Sequence, residues 1–191
     1  MKNMNTYIVF DLETNGIGCM RSATQTITQI AFIKFNSNGQ IIDQYSTIVS
    51  GATAVNSDID AVKITLELIE NEGIDPVLAY KRFLDAIDDD MIIYAHNADV
   101  DVNLLKRALR GTDMVFPNNE VICTMKTSTD FCKIRKTGYA ARYPGYKWPT
   151  LSELAMHLNV EKNDDDFHDA LYDCHITKEC ILRGQMEGLF V

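Results

Sequence analysis

Long apolar runs are missing from this 191-residue chain, and so is any paired-cysteine motif. No hydrophobic stretch approaches the roughly 18 residues that a membrane-spanning helix needs, which excludes a helical membrane protein. The first ten residues, MKNMNTYIVF, lead straight into a strand-like run without a small-residue cleavage site, so no signal peptide is expected. The five cysteines (Cys19, Cys123, Cys132, Cys174 and Cys180) form no CxxC pair and no regular framework. Reduced thiols in a cytoplasmic, intracellular protein are the expectation. Excess positive charge is missing too: the net charge of −9 opposes a general polyanion binder, because phosphate backbones would be repelled at long range. Internal repeats, low-complexity tracts and Pro/Ser-rich linkers are likewise absent. What is present is 46% hydrophobic residues, enough for one domain with a proper core over residues 1–191.

Three strand-like segments come first: Tyr7 to Glu13, Thr26 to Phe35 and Gln40 to Val49. The link NSNG between the second and third reads as a hairpin. The pattern then turns helical. AVKITLELIENEG carries apolar residues at helical spacing and closes on Gly73, and PVLAYKRFLDAI opens with Pro76 in a first-turn position. MIIYAH (Met91 to His96) reads as a buried strand, DVDVNLLKRALRG as a helix and EVICTM (Glu120 to Met125) as another strand. Helices over Thr150 to Leu158 and from Asp169 to Gly184 complete the chain. This order predicts an α/β fold, a mixed sheet flanked by helices.

The chemistry-bearing residues fall in three clusters. In YIVFDLETNG, four apolar residues run into Asp11 and Glu13, which as i and i+2 of a strand project to one side. Two carboxylates about 4 Å apart repel by about 4 kcal/mol at an effective dielectric near 20. Burial then calls for a cation or a shared proton, and the alternative is a solvated turn. In HNADVDVNLL, Asp101 shares a helix face with Leu104, Leu105 and Ala108, whereas Asp99 falls nearly opposite. The plainer role for Asp101 is a first-turn acid serving the helix dipole; for His96 and Asn97 it is capping a strand end. In DDDFHDALYDCHIT, Asp164 to Asp166 suit a helix start, and Asp169 and Asp173 lie on nearly one face, between which periodicity does not choose. His168 precedes the helix and titrates near working pH, which suits a proton acceptor. His157 and His175 read as packing or surface residues.

Between Lys126 and Trp148 the chain changes sign, with six cations, Arg135 and Lys136 among them, against the single acid Asp130. Phe131, Tyr139, Tyr143, Tyr146 and Trp148 are interleaved. Cations beside flat rings suit a single nucleic-acid strand, through phosphate attraction and base stacking; a solvated connector is the plainer reading.

Together the motifs resemble the DEDDh family of 3′–5′ exonucleases, whose patterns Asp-x-Glu-Thr, His-Asn-x-x-Phe-Asp and His-x-Ala-x-x-Asp match DLET, HNADVD and HDALYD. The resemblance covers about residues 6 to 180, with Val100 in place of an aromatic and Lys63 in place of a glycine. It implies an RNase H-like fold with five strands, the first three antiparallel. It also implies metal-ligand roles for Asp11, Glu13, Asp101 and Asp173, preferring Asp173 to Asp169, and a general base in His168. Thr14, Asn15 and Gly16 are implied to hold the terminal nucleotide, beside His96 and Asn97. Two divalent ions, Mg²⁺ or Mn²⁺, about 3.5–4 Å apart would neutralise the four carboxylates and admit a phosphate despite the overall negative charge. The implied substrate is the 3′ end of single-stranded DNA, and implied partners are a DNA polymerase or a second copy. Rival readings are an exoribonuclease, a non-catalytic binding module, which the intact five-residue set disfavours, and a His-Asp metallophosphatase, which needs more histidines than these four.

Overall fold

The computed structural model of the chain describes residues 5–16, 25–57 and 62–191. Cys19 and the Ala61 start of the helical reading fall outside them. Strands β1 (Thr6–Thr14), β2 (Ile27–Asn36), β3 (Ile41–Ile48), β4 (Ile92–Ala95) and β5 (Val121–Cys123) form one sheet in the order β3-β2-β1-β4-β5. The first three are antiparallel, and β4 and β5 run parallel to β1. The predicted hairpin joins β2 to β3. Gly39 takes φ +80° and its N–H donates to the Asn36 carbonyl at 2.8 Å, a left-handed position that glycine occupies without strain.

Helices α1 (Leu66–Glu72), α2 (Pro76–Leu84) and α3 (Ala98–Ala108) follow the antiparallel strands in alternation with β4. The short helices α4 (Thr124–Thr127) and α5 (Thr129–Cys132) come after β5, then α6 (Leu151–His157) and the long α7 (Ala170–Met186). The helical reading of residues 62–65 is corrected: Thr65 is extended and caps α1 by accepting the Leu68 N–H, so helix begins only at Leu66. Likewise Thr124 and Met125, read as strand, open α4. None of the helices among the described residues is long and apolar enough to cross a membrane.

Both faces of the sheet are covered. Ile8, Phe10 and Leu12 of β1 pack with Phe32, Phe83, Leu104 and Leu105 on one side. Tyr7 and Val9 pack with Ala31, Ile33, Ala170, Cys174 and Ile181 on the other, beneath α7. This double burial explains why β2 is a near-continuous apolar run rather than an alternating one. Phe10 meets Phe83 with ring centroids 4.8 Å apart at zero exposure; truncating such a ring to alanine costs about 3–5 kcal/mol.

Candidate active site

The alternation that builds the core also aims the acids. Ile8, Phe10 and Leu12 take one row of β1, so Asp11 and Glu13 continue the row of Tyr7 and Val9 and project on the α7 side. Glu13 lies opposite Gln29 of β2, and the pairing register slips between Glu13 and Thr14. The irregularity loosens the strand just beyond the carboxylates.

Asp101 enters from α3, which begins directly after β4. Asn97 makes the tight junction with φ +66°, a strained conformation that asparagine tolerates better than most residues. Asp101 is 5% exposed, beside buried Leu104 and Leu105. Asp99 points outward and pairs with Lys126 at 2.5 Å. The geometry separates the two as helical spacing does.

Asp169 and Asp173, which spacing leaves undivided, differ sharply. Asp169 caps α7: one carboxylate oxygen accepts the Tyr172 N–H at 2.9 Å and the other accepts from the Gln29 side-chain amide at 3.0 Å. Asp173, one turn on, accepts the His168 N–H at 3.3 Å through Oδ2, while its Oδ1 is buried with no hydrogen-bond partner. A buried carboxylate oxygen left bare is costly unless something absent from the protein itself binds it. His168 stands before the helix at φ +67°, exposed at the rim.

Asp11, Glu13, His96, Asn97, Asp101, His168 and Asp173 all line one cleft of about 740 Å³. Burial sets its electrostatics. It raises the Glu13 carboxyl to about 8, with Asp173, Asp101 and Asp169 adding repulsion and Lys63 opposing it. It raises Asp101 to about 7 despite hydrogen bonds from the backbone of Asp101 and Leu12. Asp173 also rises to about 7, by burial and then the neighbouring Asp169, against the His168 N–H and Lys63. Asp11 lies well above the usual carboxylate range, from burial first and then the charges of Asp101, Asp173, Glu13 and Asp169. The His168 ring is held below its ordinary value by desolvation and by Lys63. Such a set is uncomfortable as anions alone and suited to cations. Glu13, His168 and Asp173 each offer one ligand atom, all within 4.8 Å of one another. The carboxylate oxygens of Glu13 and Asp173, the bare Asp173 Oδ1 among them, are hard donors that fit a divalent metal.

The other residues named from the sequence stand differently. The His96 ring is half-buried, with its pKa pushed down to about 4 by desolvation, and is therefore neutral. Its Nε2–H donates to the Pro149 carbonyl at 3.1 Å, and Nδ1 accepts from the Thr124 hydroxyl at 3.0 Å. The ring thus braces β4 against the segment before α6. Thr14 ends β1 and Asn15 and Gly16 lie just past it, all outside the cleft lining. Asn15 is 3% exposed; its side chain accepts the Thr26 N–H and donates to the Ala54 carbonyl, both at 3.1 Å. Arg135 and Lys136 are also outside the lining: Arg135 is exposed, and Lys136 Nζ donates to the Pro144 carbonyl at 2.7 Å. From the interleaved aromatics, Trp148 reaches the cleft.

Gln29 is the positioning residue that sequence reasoning misses. It is 4% exposed in β2, donates to Asp169 and Ser46, and accepts the Ala170 N–H at 3.1 Å. One side chain thereby seats the start of α7 against the sheet. Its signal was a lone amide inside the apolar run TITQIAFIKF.

Residues 8–181 match the exonuclease family of RNase T. The chain is 28% identical over 174 residues to the PolC-type DNA polymerase III of Listeria welshimeri, covering 90% of this chain and 11% of that protein. It is 30% identical over 171 residues to the 3′–5′ exonuclease DinG of Staphylococcus aureus, covering 85% of this chain and 17% of that one. The chain thus spans only a small part of the length of these relatives. A crystal structure of a full-length 3′-exonuclease superposes with a TM-score of 0.76 at 13% identity, covering 98% of this chain and 84% of the other, which speaks to the fold. With its mixed sheet, its acid-lined cleft and a family match over nearly its whole length, the chain belongs to the RNase T exonuclease family of hydrolytic nucleases.

Proposed function

We propose that residues 1–191 work as one exonuclease domain that removes nucleotides from the 3′ end of single-stranded DNA inside the cell. Asp11, Glu13, Asp101 and Asp173 would hold two divalent ions, Mg²⁺ or Mn²⁺, and His168 would take the proton from the attacking water. The observation that carries this reading is the convergence of four acids from β1, α3 and α7 in one cleft, with raised carboxyl pKa values and a bare buried oxygen on Asp173. Bound divalent cations supply charge neutralisation at the phosphate and a lower pKa for water.

The chain's own residues account for the rest. His168 is the one histidine exposed at the cleft, and its depressed pKa leaves it unprotonated near neutral pH, ready to accept a proton. His96 is excluded from that duty because both ring nitrogens are occupied. Asn97, next to it, and the Thr14–Gly16 backbone flank the acids and are assigned to the terminal nucleotide. Exposed Trp148 on the rim offers a face for a base, worth about 1–3 kcal/mol. Arg135 and Lys136 lie farther along the same segment and are assigned to trailing phosphates. The likeness to a PolC-type DNA polymerase III motivates DNA as the proposed substrate and a polymerase as the proposed partner.

The deciding experiment is digestion of 3′- and 5′-labelled DNA and RNA oligomers with Mg²⁺, Mn²⁺ or EDTA. Metal-dependent shortening from the 3′ end of DNA, abolished by EDTA, is expected. RNA degraded faster than DNA would reassign the substrate, and no turnover with either metal would remove the reading.

A further inference from the structure

Lys63 has no part in the roles assigned so far, yet it touches the turn that carries His168. Its Nζ donates to the Asp165 carbonyl at 2.6 Å, joining segments 102 residues apart in sequence. Asp165 lies in the short 3₁₀ turn Asp164–Asp166, three residues before His168. The other side-chain bonds of this turn among the described residues come from α6, from α7 and from the turn and its flanks, the Asn163 side chain accepting the Asp165 N–H at 3.3 Å among them. Ser152 of α6 and Lys162 both donate to Asp164, Asn163 donates to Asp166, and the Tyr172 hydroxyl of α7 bonds the Asn163 backbone. Lys63, on the approach to α1, ties the turn to a part of the chain that none of those partners belongs to.

The turn needs such a tie. His168 sits at φ +67°, a backbone region that costs a non-glycine residue energy and persists only where neighbours hold it. Phe167 anchors the turn below, at 9% exposure, but the residues on either side of it, Asp166 and His168, are exposed. The Lys63 charge also acts on Glu13, Asp173 and His168, which places the ammonium close to the cleft.

We propose that Lys63 is a positioning residue, a latch that holds the His168 turn through the Asp165 carbonyl and keeps the imidazole facing Glu13 and Asp173. Its catalytic consequence rests on the exonuclease reading; its structural consequence does not. A side chain that fixes a base within reach of its proton acts on turnover, because displacements of about 1 Å cost up to a hundredfold. Strand binding, spread along the Trp148 segment, is left alone.

Two measurements on K63M and K63R test the latch in the full chain. In the first, hydrogen exchange of amides 164–168 in metal-free protein is expected to quicken in K63M, with the sheet unchanged, and to recover in K63R, which keeps a donor. In the second, kcat on a 3′-labelled DNA oligomer is expected to fall about tenfold in K63M with KM little changed. Unchanged exchange in K63M would overturn the latch. So would a loss confined to KM, which marks a strand contact instead. An inactive wild type would sink the exonuclease reading alone, and the exchange result would still decide the latch.

Discussion

Single residues carry the chemistry, and two pairs of aspartates show how far a sequence separates them. Asp99 and Asp101 fall on different helix faces, and spacing alone tells the solvated one from the buried one. Asp169 and Asp173 share a face, and what divides them is a hydrogen-bond inventory: Asp169 is satisfied by Tyr172 and Gln29, Asp173 is left with a bare oxygen. No periodicity encodes that, because the Gln29 partner lies 140 residues away. Two outcomes follow for substitutions here. Asp173→Asn is expected to reduce hydrolysis to background while raising metal-free stability at pH 8, since it removes one of four mutually repelling charges. Oligomer digestion and urea unfolding of the same sample check both halves. His168→Ala is expected to lower kcat by about 10²–10⁴ with metal affinity by calorimetry little changed. An Ala variant that turned over normally would leave the water's proton to another acceptor.

At the scale of elements, the strand and helix order was legible because burial is written as periodicity. β1 to β3, α2, α3, α6 and α7 all follow from runs and spacing, with ends within two or three residues of those expected. The failures share one cause. Residues 62–65 carry apolar side chains at helical spacing, but buried Ile64 lies ahead of the helix, and Thr65 is extended and spends its hydroxyl on the cap. Thr124 and Met125 are buried like a strand, yet Ser128 and Thr129 hydroxyls bond back to the Thr124 and Met125 carbonyls, wrapping them into helix. Short pieces are decided by such local bonds, which leave no period behind. The seat of α7 is the element-level feature that bears on the site. Gln29→Leu keeps the bulk but strands the Ala170 N–H and one Asp169 oxygen. A loss of about 1–3 kcal/mol in urea unfolding is expected, with activity falling further than stability because Asp173 shifts with its helix. The basic segment is a second element-scale matter. Arg135→Ala is expected to flatten the salt dependence of binding to a DNA strand by about 0.7 in log–log slope, and an unchanged slope would take the segment off the strand's path.

For the whole molecule, the cleft couples folding to protons and, on the proposed reading, to metal. Glu13, Asp101 and Asp173 have folded pKa values of about 8, 7 and 7, with Asp11 also well raised, all above the values near 4 that unfolded carboxyls have. Between those limits the folded chain binds more protons than the unfolded one. Stability contributed by these groups is therefore full below about pH 4 and is lost as pH climbs through 7 to 8. The midpoint of thermal unfolding in EDTA is expected to drop from pH 6 to pH 8, opposite to a protein whose carboxylates are held by arginine or lysine. Divalent cations are expected to reverse the sign, because on the proposed reading they bind the ionised form that the bare protein penalises. At a hundred times the dissociation constant, Mg²⁺ or Mn²⁺ bound as proposed would add about 2.7 kcal/mol, which for a chain of this size would raise the midpoint by roughly 5–10 °C. The gain is expected to be larger at pH 8 than at pH 6, and to vanish in Asp173→Asn. Thermal scans at both pH values, with EDTA, Mg²⁺ or Mn²⁺, measure all of this without any substrate. A metal-free midpoint that rises with pH, or one that divalent ions leave in place, would mean that the four acids have found their counter-charge inside the protein.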